Sequence, residues 1–216
     1  MNRATRIIVS VVGVLLAVAG IDHGVFEILQ GNAPTSGPLI QAIGDQQQMW
    51  YYGTEEAFTV LPTFLSTGIS AVVVSLALGI WAVGFVHTPR GALVFGLLCV
   101  LLFLVGGGIA AAVTIVPPTW AAAGRINRPL TWWRRVLPVQ GRRILAGLWP
   151  YTLTLASVSF LLGLSIAVFG YVPGMSDPER VFNVCWAFIF GGGLGGILLS
   201  FVAGFAHDIE AQEPVP

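Results

Sequence analysis

An all-α bundle of membrane-crossing helices is the fold this sequence predicts. Charged residues make up only 9% of the 216, against 56% hydrophobic, and mean hydropathy is +0.84. A soluble domain carries about 25% charged residues, so this chain cannot cover a globular surface with groups that water favours. Long apolar runs recur along it, and in lipid only helices or closed barrels satisfy the backbone internally. Five clear spans emerge, in one integral membrane domain over residues 1–216.

The first span runs from about Ile7 to Leu29, near the about 20 apolar residues a crossing helix needs. Arg3 and Arg6 precede it, and Ala17-Val18-Ala19 has the small-x-small form of a signal cleavage site. Hydrophobicity continues past that point to Leu29, so a retained span is expected. Gly31 to Thr54 is polar and ends near Trp50-Tyr51-Tyr52, aromatics of the kind found at headgroup level. The second span is read as residues 57–86, with Pro62 loosening its first turns through the missing donor. Glu55 and Glu56, after a Thr54 cap, would then face its positive N-terminus.

The third apolar region, 91–116, continues uncharged to Gly124 and holds Gly106-Gly107-Gly108 and Pro117-Pro118. It reads either as one span or as a span broken at 106–108 that returns as a short or re-entrant segment. Arginine placement arbitrates, because cytoplasmic loops collect positive charge. All ten basic residues are Arg. A plain five-span chain with its N-terminus inside leaves Arg125, Arg128, Arg134, Arg135, Arg142 and Arg143 outside and four inside. Its inverted form reverses that. The broken segment puts every arginine except Arg180 inside and is favoured.

Residues 125–143 read as interfacial, with Trp132-Trp133 in the boundary layer and Arg134, Arg135, Arg142 and Arg143 meeting lipid phosphates. The last two spans, 148–172 and 181–206, flank the polar turn Pro173–Arg180. Gly192, Gly196, Ser200 and Gly204 recur every four residues, a small-residue stripe for helix packing. It packs within the bundle or against a second copy or another subunit.

Ionisable groups inside spans are costly and therefore functional candidates. On the first span Gly13, Ala17, Gly20 and Gly24 share one face with Glu27, with His23 on its flank and Asp22 opposite. His23 and Glu27 are four residues apart and can meet. A helical hairpin returns Glu55 and Glu56 to the same membrane face. Asp22, His23, Glu27, Glu55 and Glu56 thus form one acidic, histidine-containing neighbourhood. It fits an ion, solute or proton site. It also fits a divalent metal site of a membrane enzyme, with His23, Glu27 and His207 as ligands where the topology joins them. Otherwise a His23–Glu27 hydrogen bond merely holds helices in register. His87 reads as a solvated boundary residue.

No cofactor is identified by motif. Cys99 and Cys185 lie in apolar runs without CxxC spacing, and no nucleophile elbow or dinucleotide fingerprint is present. A net charge of +0 without a basic surface argues against nucleic acid.

Asp22-His23-Gly24-Val25-Phe26-Glu27-Ile28-Leu29-Gln30-Gly31-Asn32 and Arg125–Arg134 resemble segments in a group of uncharacterised bacterial multi-pass membrane proteins. The resemblance implies a bacterial cytoplasmic membrane and a break at the glycine run and proline pair. It implies no activity. The expectation is movement or sensing of a small ion or solute at His23 and Glu27. The alternatives are a metal-dependent membrane enzyme and a non-catalytic subunit of a larger complex.

Overall fold

A computed structural model describes residues 1–213. In chain order the elements are α1 (Arg3–Leu29), β1 (Leu39–Ile43), β2 (Glu55–Phe58), α2 (Phe64–Gly84), α3 (Gly91–Leu104), α4 (Ile109–Thr114), α5 (Val116–Ala123), α6 (Thr131–Val136), α7 (Val139–Phe169), α8 (Pro178–Trp186) and α9 (Gly196–Glu210). A π-helical stretch, Ala187–Gly195, joins α8 to α9 and contains Gly191-Gly192-Gly193. Among the described residues four helices are long and apolar enough to cross a membrane: α1, α2, α7 and the continuous run Pro178–Glu210.

The central helix is α1, and its small residues explain its neighbours. A Cβ on Gly13 would lie 2.5 Å from that of Ala82, and one on Gly24 would lie 2.8 Å from the Gly68 carbonyl oxygen. Without those side chains α1 and α2 approach backbone to backbone. At its start α1 has no side-chain cap of its own. Asp208 of α9 supplies one, accepting from the Ala4 and Thr5 amides at 2.9 Å each and from the Thr5 hydroxyl at 2.7 Å. A carboxylate there answers both the orphan amides and the positive helix end. The 192–204 stripe also lies inside the bundle: Gly192 faces Ser159, Gly196 faces Ala156, and Gly204 faces Ile8. Ser200 bonds Thr152 at 3.1 Å.

Four long apolar helices, not five, are found among the described residues. The third apolar region is broken at the glycines, the reading that arginine placement favoured. α3 is only 14 residues long, about 21 Å at about 1.5 Å per residue, too short for a ~30 Å hydrocarbon core. It stops because Gly106 and Gly108 take φ of +102° and +86°, which only glycine adopts freely. The chain then returns through α4 and α5. The bundle is mostly helical, with one short β-hairpin added. Residues 55–58, read as the threshold of the second span, pair as β2 with β1 in an antiparallel hairpin. α2 begins only at Phe64, where Thr63 accepts from the Ser66 amide. Glu55 and Glu56 therefore cap no helix, and Pro62 precedes α2 and does not interrupt it.

Contacts fix the two ends of the bundle. Asn2 bonds the carbonyls of Arg125 and Arg128 through its side chain, and Asn127 bonds that of His87. Ala146 bonds His207 beside the Asp208 cap. One end thus gathers the start of α1, the end of α2, the end of α5 and the start of α7 with the end of α9. The other end holds the hairpin, docked on the α7–α8 turn by the Trp50 indole donating to Ala167 and by Tyr52 stacked on Phe182.

Candidate functional site

The β-hairpin, the glycine break and α1 meet at one place. The register pairs Gln41 with Glu56 and Ile43 with Glu55 across an irregularity. Gln30, capping α1, donates to the Gln41 and Ala42 carbonyls and ties the hairpin to the helix end. Beyond β2 the strand continues onto the break. Thr59 pairs with Val105, the Gly106 amide donates to Phe58, and the Val60 amide donates to Leu104. Hairpin and break are one hydrogen-bonded cover over the last two turns of α1.

Beneath that cover lie His23 and Glu27. His23 Nε2 is 2.8 Å from Glu55 Oε2. Successive strand side chains point to opposite faces, so Glu55 faces the helix while Glu56 is exposed. Glu56 is therefore outside the site. Asp22 is half-buried within electrostatic range of His23 and Glu55. Burial pushes the Glu55 carboxyl up, but the hydrogen bond and charge of His23 outweigh it and hold Glu55 below the usual glutamate value.

Glu27 is the unusual member. It is 0% exposed, and among the described residues no donor reaches either of its carboxylate oxygens. His23 Nδ1 is likewise buried without a partner. The expected His23–Glu27 hydrogen bond is thus absent; the histidine is turned to Glu55. Exposure falls along the series, from 40% for the Glu55 side chain to 8% for His23 and none for Glu27.

The glycines complete the enclosure. A Cβ on Gly106 would collide with both Glu27 oxygens, and one on Gly108 would stand 2.7 Å from His23 Nε2. Sequence reading singled out the glycine run and the His23–Glu27 pair separately and did not connect them. Thr67 was missed altogether. It is buried on α2, bonded to Thr59 at 3.1 Å, and turns its methyl towards Gly106. A threonine two turns above a serine, Ser75, on the otherwise apolar face of α2 was the available signal.

No protein family, curated protein or solved structure matches this chain. The site must speak for itself.

His207 is not part of it. The ring sits at the opposite end, bonded to Ala146 and 5.7 Å from Trp149. The ligand trio His23, Glu27 and His207 is therefore not assembled, and among the described residues no three His, Cys, Asp or Glu are placed to share a metal ion. Arg142 is corrected too. It is 4% exposed and ion-paired with Glu210 and Glu213, the latter at 2.9 Å, so it is an internal anchor and not a headgroup contact. Arg134 bonds Glu213 at 3.0 Å from an exposed position, while Arg135 and Arg143 are exposed.

Proposed function

We propose that this chain is a multi-pass membrane protein that takes up a proton at Glu27, by way of Glu55 and His23, and couples it to movement across the bilayer. One observation carries the reading: a fully buried carboxyl with no hydrogen-bond donor among the described residues. A bare carboxylate in such surroundings costs several kcal/mol or more. A proton or a small cation must accompany it. Structural carboxylates are answered by donors, as Asp208 is by three; Glu27 is answered by none.

The graded burial supplies a route. Glu55 meets the aqueous end of the bundle. Imidazole can accept a proton on one nitrogen and release it from the other. A proton arriving from Glu55 is taken at Nε2, and the one on Nδ1 leaves towards Glu27, one helical turn away with Cβ atoms about 5–6 Å apart. The apolar crevice beneath the glycine break, lined by Leu16, Leu78 and Leu102, keeps water from dispersing the charge.

The test is proton flux in proteoliposomes holding a pH-sensitive dye. Wild type should collapse an imposed pH gradient faster than empty vesicles, and His23→Ala should slow the collapse. Glu27→Gln should abolish flux while leaving the unfolding temperature about unchanged, since the amide keeps the shape of the carboxyl and can carry no charge. Wild-type flux in Glu27→Gln would sink the reading. A large loss of stability would make Glu27 a structural residue instead.

A further inference from the structure

A groove at the far end of α1 is unrelated to the Glu27 site. It has a volume of about 810 Å³ and runs between α1, the end of α2 and the middle of α7. Arg3 and Arg6 stand at one end; Val14, Val83, Ser157 and Leu161 line the rest. Its walls are effectively apolar. The Ser157 hydroxyl is spent on the Leu153 carbonyl of its own helix at 2.8 Å, and that of neighbouring Ser10 on Ala82 at 2.7 Å. Among the described residues neither Arg3 nor Arg6 is ion-paired. At the same end Arg134 and Arg142 do have carboxylate partners, in Glu210 and Glu213; Arg125 and Arg128 are not ion-paired among the described residues either, but they do not line this groove.

We infer that this groove holds one anionic phospholipid, its phosphate on Arg3 and Arg6 and an acyl chain along Val14 and Leu161. The inference rests on the membrane reading above but not on proton uptake. Length supports it. From Arg3 to Leu15, the last α1 residue lining the groove, α1 rises about 18 Å at about 1.5 Å per residue. One leaflet is half of a ~30 Å core, so the groove is one acyl chain deep. Charge supports it as well. Two cations at the mouth of an apolar slot match a lipid with a net negative headgroup, and basic recesses between helices on the arginine-rich side are where such lipids settle.

The experiment is native mass spectrometry of the delipidated full chain titrated with phosphatidylglycerol or phosphatidylcholine, with inorganic phosphate as competitor. Saturable binding of one phosphatidylglycerol, tighter than phosphatidylcholine, is expected. Arg3→Gln with Arg6→Gln should weaken it about thirtyfold, each arginine contributing roughly a factor of five, without lowering the unfolding temperature. Ser157→Trp, which fills the slot and leaves both arginines, should abolish it. Equal affinity for the two lipids, full displacement by phosphate, or unaltered binding in either variant overturns the inference. A chain that stays soluble without detergent would instead overturn the membrane reading itself.

Discussion

At the residue scale, two glycines and one glutamate define the site. Gly106 and Gly108 are required twice over, by positive φ and by what their absent side chains leave room for. A non-glycine residue held at such positive φ costs about 1–3 kcal/mol. Contact with Glu27 or His23 adds to that. In a chain of this size about 1 kcal/mol shifts the melting temperature by about 2–4 °C. Gly106→Ala and Gly108→Ala should therefore each lower it by at least that much in detergent, read by circular dichroism. Gly141→Ala in α7 is the control: nothing lies within 4 Å of its Cβ position, and alanine favours helix over glycine by about 1 kcal/mol. If all three variants melt alike, the break is not held by these two conformations. Glu27, by contrast, was visible from its position alone. A charged residue on the small-residue face of an apolar helix has few reasons to be there. Its lack of any partner was not visible, because that depends on what the hairpin and the break bring near it.

At the scale of elements, the hairpin is the part that sequence reading lost. Ala57 to Leu61 is as apolar as the helix that follows, so composition runs the two together. The boundary lay in Pro62-Thr63, a helix-start signal, and in the β-branched pair Thr59-Val60 ahead of it. The glycine break was legible because three adjacent glycines in an apolar run cannot propagate a helix cheaply. What it packs against was not, since a strand contact 46 residues away, Thr59 to Val105 in sequence, leaves no local trace. The hairpin is pinned to α1 by Glu55 and His23, and that pin is sensitive to pH. Glu55 holds its proton less tightly in the folded chain than in the unfolded one. Its contribution is therefore full above the unfolded glutamate value, near pH 4.3, and is lost as pH falls through the lower folded value. Hydrogen exchange of residues 39–58, corrected for intrinsic rates, should accelerate as pH falls below the unfolded glutamate value and through the lower folded one. Glu55→Gln should remove most of that dependence. An unchanged pH profile in the variant would mean that Trp50 and Gln30 hold the hairpin without help from the ion pair.

At the scale of the whole molecule, the arrangement of ends follows from the break. Because α3 turns back at Gly106 and α5 returns to Asn2, the segments before α3 and after α5 share one end of the bundle. Arg3, Arg6, Arg90, Arg125, Arg128, Arg134, Arg135, Arg142 and Arg143 all belong to that end, and Arg180 to the other. This was the most legible feature of the fold, for a physical reason. Charge bias is a sum over many residues and survives errors in any one boundary, whereas a hairpin register or a single ion pair does not. A bundle with this bias should insert with the arginine end in the cytoplasm and the Glu55 hairpin facing out; under the proposal above, a proton would then enter towards Glu27 from the outer face. Single cysteines test it in a Cys99→Ser, Cys185→Ser background. A membrane-impermeant maleimide applied to intact cells should label Gln48→Cys in the hairpin loop and Met175→Cys in the α7–α8 turn. Asn127→Cys and Gln140→Cys should react only after lysis. Labelling of Asn127→Cys together with Gln48→Cys from outside, with Met175→Cys protected, would mean that the region after Gly91 crosses the bilayer once, without the return through α4 and α5. Labelling of Asn127→Cys and Gln140→Cys alone would keep the fold and invert it, and the proposed proton entry would then lie on the cytoplasmic face.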